Sequence, residues 1–168
     1  MLDELIKLVE QNAGKAIINN SAIPNQHNNA AIKEVASQIF NGLKTQAQQG
    51  NMQQLAGMFQ GGGSSLTNNP MVSNLISSVA GSVASKFGVS PQVAQNMAAS
   101  LLPTVMSQLV KKTNDPTDSS FDLTNIMKTV SGNSSLDVGS ILSQVAGGGT
   151  KGGLGNIGGM LGNLFGKK

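Results

Sequence analysis

Apolar residues recur every three or four positions along most of this chain, the period of a helix with one buried face, and no stretch alternates convincingly as a half-buried strand does. Leu2, Leu5, Ile6, Val9 and Ala13 share one face, which predicts an amphipathic helix ending at Gly14. Asn and Pro in "NNSAIPN" break the pattern, and a second helix is predicted from near Gln26, with Ile32, Val35, Ala36, Ile39, Phe40 and Leu43 inward. A shorter piece carries Met52, Leu55, Ala56 and Phe59. It runs into "GGGSS", which reads as a flexible loop over 61–65.

Asn69 followed by Pro70 marks the start of a fourth helix, whose face runs Val72, Leu75, Ile76, Val79, Val83 to Phe87 before Gly88 stops it. Ser90 and Pro91 repeat this start for a fifth, with Met97, Leu101, Leu102, Val105, Met106 and Leu109 inward. Pro103 lies inside that helix and is expected to kink it. After the loop "TNDPTDSSFD", short helices are predicted around Leu123 to Val130 and Val138 to Ala146. The expected architecture is an all-α, multihelical soluble bundle of five to seven helices. One domain over 1–147 would be followed by a glycine-rich tail over 148–168, disordered or docked as a helix.

An internal repeat shows at an offset of 66 residues: Ile6 with Val72, Val9 with Leu75, Ala13 with Val79, Ile17 with Val83 and Ile23 with Val89. It continues through Val35 with Leu101, Ala36 with Leu102, Ile39 with Val105, Phe40 with Met106 and Leu43 with Leu109. Two helical hairpins about a pseudo-two-fold axis would follow. Any two amphipathic helices align once they are in phase, so periodicity alone does not separate repeat from coincidence.

Composition narrows the function classes. The 39% of hydrophobic residues include five Phe but no Trp or Tyr, so the core is aliphatic and the usual anchors of interfaces and base-stacking platforms are missing. Every cation is Lys, and the lysines behind the net charge of +3 are scattered; without the guanidinium fork, nucleic acid is not the expected partner. No Cys is present, which excludes disulfides and thiolate metal sites and fits a reducing compartment. Asp3, Glu4 and Glu10 stand where a signal peptide would be basic and then apolar, so a cytoplasmic location is expected. No ionisable side chain lies between Lys44 and Lys86 or between Lys86 and Lys111, yet these runs are full of Gln, Asn, Ser and Gly and do not read as membrane spans.

The segments "MLDELIKLVEQNAGKAIINNSAIPNQHNNAAIKEVASQI" and "KFGVSPQVAQNMAASLLPTVMSQLVKKTNDPTDSSFDL", with the glycine-rich end, resemble the DUF937 family and the related YidB-like bacterial proteins. The run from Phe87 to Leu123 carries the most specific part of the likeness. The resemblance implies a multihelical, all-α bacterial protein of uncharacterised role, and it transfers no catalytic residues.

Gly153-Leu154-Gly155-Asn156-Ile157-Gly158 spells the dinucleotide fingerprint GxGxxG. That motif needs a strand before it and an acidic residue about 20 positions after it, and this context has neither. The tail reads better as a helix with an apolar stripe of Leu154, Ile157, Leu161, Leu164 and Phe165 beside Gly158 and Gly162. Those seven residues are the candidate interaction face, toward another helix, a second copy or lipid, with Lys167 and Lys168 suited to anionic head groups. The sole histidine, His27, reads as a surface residue at a helix start, since no His, Cys or carboxylate cluster accompanies it. A hydrolase would need a deep pocket joining His27 to a carboxylate and a hydroxyl. Asp115, Asp118 and Asp122 lack the pattern of a calcium loop and read as turn and cap residues.

No cofactor, metal or catalytic residue is expected. The expected role is a non-enzymatic structural or protein-interaction module, with a protein partner or a second copy of itself. The alternative is a peripheral membrane protein that uses its tail.

Overall fold

A computed structural model describes residues 1–61, 66 and 68–146. All regular structure among them is helical: α1 (Leu2–Asn12), α2 (Asn28–Gln48), α3 (Met52–Gln60), α4 (Pro70–Phe87), α5 (Pro91–Thr113), α6 (Leu123–Ser131) and α7 (Val138–Ala146). Most of the loop expected over 61–65 and the tail over 148–168 lie outside the described residues.

Local chemistry sets the helix ends. The Asn69 side chain accepts from the Met71 N–H at 2.9 Å and Ser90 Oγ accepts from the Val93 N–H at 3.3 Å, each with proline in the first turn, where a missing N–H costs nothing. Gly88 closes α4 at φ +67° and Gly132 closes α6 at φ +70°, left-handed values that a side chain would strain. Gly14 behaves differently from expectation. α1 stops at Asn12, and the chain continues as a π-helical turn, Gly14–Ile18, in which the Ile18 N–H donates to the Ala13 carbonyl at 3.1 Å and the Asn19 N–H to the Gly14 carbonyl at 2.8 Å. Gly14 does not take the positive φ that makes glycine a stop, and burial of Ile17 carries the helical path onward. At Pro103 the chain loses one helical N–H, yet α5 continues as a single helix, held on either side by buried Leu101, Leu102, Val105 and Met106.

The four long elements form a ring in which α1 packs on α2 and α5, and α4 packs on α5 and α2. This arrangement follows the 66-residue repeat, which carries α1 and its π turn onto α4, and α2 onto α5. The short elements obey it too, since α3 packs on α5 while α6 packs on α2. Eight of the ten apolar pairs are buried in both copies. The exceptions are Ile6 and Phe40, partly buried where their counterparts Val72 and Met106 are buried.

One apolar cluster runs from Leu5 to Val138, with no polar or charged residue buried among the described residues. Phe59 and Phe121 are its buried aromatics. Polar ties sit at its edges: Asn114 Nδ2 donates to the Phe59 carbonyl at 2.7 Å, joining α3 to the end of α5, and Gln53 Nε2 donates to Gln144 Oε1 at 2.5 Å, joining α3 to α7. None of the helices among the described residues is long and apolar enough to cross a membrane.

Leu102 is 0% exposed at the centre of this ring, and Leu102→Ala is expected to cost about 2–5 kcal/mol of stability in denaturant unfolding. Pro103→Ala restores a helical donor and should raise stability by about 1–2 kcal/mol, after offsetting the greater freedom of the unfolded chain. Calorimetry reads the second effect as a higher melting temperature.

Candidate functional site

The most connected polar cluster pins α2 to α4. Glu34 projects from α2 and is 11% exposed, while Ser82 and Lys86 lie one turn apart on α4. Glu34 Oε1 accepts from Ser82 Oγ and from Gln38 Nε2 at 2.9 Å, Gln38 Nε2 also reaches Ser82 Oγ at 3.2 Å, and Glu34 Oε2 pairs with Lys86 Nζ. Partial burial pushes the Glu34 carboxyl up, but the hydrogen bonds from Lys86, Ser82 and Gln38 outweigh it and hold the group below its ordinary value. The carboxylate is therefore kept ionised and engaged on both oxygens. Such a group acts as a clamp; a general base at neutral pH needs a raised pKa and a free lone pair.

From this clamp a groove extends along the α2–α4 seam. Gln38, Asn41, Thr45 and Gln46 line one side and Met71, Asn74, Leu75 and Ser78 the other, around a recess of about 200 Å³. Gln46, Met71 and Asn74 continue it into a second recess of about 500 Å³ that also touches Gln54 and Asn69. At Gly42 a Cβ would stand 2.0 Å from Leu75 Cδ2, so the missing side chain leaves room for Leu75 in the seam. The groove offers amides and hydroxyls that both donate and accept, without charge.

The residues singled out from sequence go elsewhere. His27 is the N-cap of α2, half-buried, with its ring centroid 5.9 Å from that of Phe87 and a side-chain contact to Gln26 at 3.4 Å. Neither Glu34 nor Ser82 is among its hydrogen-bond partners, so these three do not form a triad. The three aspartates act as turn and cap residues: Asp115 Oδ1 accepts from the Thr117 N–H at 2.9 Å, Asp118 Oδ1 from the Ser120 N–H at 3.0 Å, and Asp122 Oδ1 from the Asn125 N–H at 3.0 Å. Among the described residues no three His, Cys, Asp or Glu side chains gather as a metal site. The GxGxxG stretch and the face comprising Leu154, Ile157, Gly158, Leu161, Gly162, Leu164 and Phe165 lie outside the described residues.

Pattern reading missed the Glu34 clamp because its members are 48 and 52 positions apart. One signal was present: Lys86 is the lone ionisable residue between Lys44 and Lys111, and a single charge in so long a neutral run asks for a partner.

The fold and its polar seam define an all-α, multihelical protein. Residues 68–168, more than half of the chain, match the model of DUF937, described as a bacterial protein of unknown function, and the chain belongs to that family. No curated protein and no solved structure matched it. The matched stretch opens at the second half of the internal repeat.

A carboxyl whose folded pKa lies below its unfolded value adds stability above the unfolded value, and that stability is lost as pH falls through the folded one. Glu34 should follow this rule, its contribution present above about pH 4.5 and fading below it. Glu34→Gln keeps the bonds from Ser82 and Gln38 but loses the charge pair with the largely exposed Lys86, and should cost about 1 kcal/mol at pH 7. The difference in melting temperature between the two proteins should shrink as the pH is lowered below about 4.5.

Proposed function

We propose that this protein is a non-enzymatic structural or protein-interaction module of the cytoplasm that self-associates through the α2–α4 face. The observation that carries the reading is the neutral, amide-lined groove. Interface centres are depleted of charge, and side-chain amides exchange water for a partner's polar groups at a far smaller desolvation cost than charged groups do. With no ionisable residue between Lys44 and Lys86, long-range repulsion between two copies meeting here is small. Glu34, held ionised by three donors, supports a structural reading of the one connected polar cluster on this face.

A second reading rests on the tail sequence. Leu154, Ile157, Leu161, Leu164 and Phe165 beside Lys167 and Lys168 have the composition of a surface anchor for anionic lipid.

Light scattering of the full chain should give a mass above that of one copy, rising with concentration. Asn74→Lys combined with Ser78→Lys places two like charges in each copy's groove and should return the mass to a single copy. A full chain that stays monomeric, or a double variant that associates as before, overturns the proposal. Co-sedimentation with anionic vesicles, lost when residues 148–168 are deleted, would favour the membrane reading instead.

A further inference from the structure

α7 is only half covered by the rest of the fold. It packs chiefly on α3, where Gln144 bonds Gln53 and where a Cβ at Gly57 would stand 3.7 Å from Val145 Cγ1. Val138 is buried, but Ile141, Leu142 and Val145 are only partly so. Leu142, two positions from Gln144, stands almost opposite it round the helix and so points away from the Gln53 contact, with the exposed Gly139 one turn before it.

The chain that follows α7 has the reach, the apolar pattern and the charge to cover that side. Seven residues, five of them glycine, separate Ala146 from Leu154, and a connector of that length spans about 25 Å against the roughly 14 Å of α7, so the chain can turn back along the helix. Leu154, Ile157, Leu161, Leu164 and Phe165 recur at the helical period, while the glycines among them disfavour a free helix; such a segment coils only where a surface covers it. Charge agrees with this placement. Of the eleven lysines, Lys151, Lys167 and Lys168 lie past α7 and none of the eight acidic residues does, so the net charge of +3 belongs wholly to the tail. At the start of α7, Asp137 accepts from the Ser140 N–H at 3.2 Å and from Ser140 Oγ at 2.6 Å, and it makes no ion pair among the described residues.

We propose that residues 154–168 return antiparallel along α7, placing Ile157, Leu161 and Leu164 over the Leu142 side and Lys167 and Lys168 at the end where Asp137 stands. The occupant is this chain's own tail, tethered within reach, apolar where α7 is open and basic where α7 carries its carboxylate. Docking conceals the stripe that a lipid surface would need. It does not involve the α2–α4 face, so its failure would leave the self-association reading untouched.

The chain contains no Cys, so Asn163→Cys gives a single point for a nitroxide label on the full-length protein. An antiparallel return predicts paramagnetic broadening of backbone amides that is strongest at residues 137–139 and weaker at 145 and 146, the reverse of the order set by distance along the chain. Adding Leu161→Asp, a change in the tail and outside the packed core, should abolish the broadening at 137–139 and leave the amides of α1, α2, α4 and α5 in place. Mixing isotope-labelled chains that lack the nitroxide with nitroxide-labelled chains that lack the isotope should leave α7 unbroadened. The proposal is overturned if broadening is strongest at 145 and 146, if it survives Leu161→Asp, if it falls on another helix in place of α7, or if the mixed sample shows it on α7, which would make the occupant the tail of a second copy.

Discussion

Mutual burial of aliphatic side chains among α1, α2, α4 and α5 is the interaction on which the remaining structure depends. The apolar cluster these helices share contains no buried polar or charged residue among the described residues, so no internal hydrogen-bond network dictates how they meet. Register has to come from shape: Gly42 leaves room for Leu75, alanines at 36, 80, 94 and 98 bring backbones together, and methionines at 97, 106 and 127 fill what remains. An all-aliphatic interior adapts easily, and the polar ties at its rim, Glu34 with Ser82 and Lys86 and Asn114 with the Phe59 carbonyl, add the direction that the core lacks.

The ring pairs helices in the order that the 66-residue spacing suggests. Each hairpin presents one helix to its own partner and the same helix to the other hairpin, so neither half covers its apolar stripe alone. Divergence shows in the polar side chains. The Glu34 clamp has Ser100, Ala16 and Asn20 at the positions matching Glu34, Ser82 and Lys86, so the second seam carries no equivalent ion pair. Packing constrains the interior of both halves alike, while exposed positions are free to differ.

Scarcity of charge gives the few charged side chains more influence. Only 11% of residues are ionisable Asp, Glu, Lys or Arg, and most of the α2–α4 face is neutral. A pair such as Glu34 with Lys86 therefore stands out against an amide-rich surface.

Helix positions were legible in the sequence because their causes are local. Apolar spacing marked α2 through α7 to within a few residues, Asn69, Ser90 and Asp122 announced their caps, and Gly88 its stop, since each signal lies within one turn of the element it shapes. The repeat was visible as a period, and the packing of α1 on α2 and α5 and of α4 on α5 and α2 follows its spacing. Other features depend on residues far apart in the chain and had no local trace. Ile17, drawn into the core, carried the chain past Gly14 as a π turn, and His27 found Phe87 60 positions away. Glu34 met Ser82 and Lys86 across a seam in which Gly42 leaves room for Leu75. By itself the sequence determined which segments coil and which faces seek cover, because hydrogen bonding and side-chain direction repeat every few residues. Tertiary structure alone decided which polar groups meet and where recesses open, because those follow from how the covered faces are brought together.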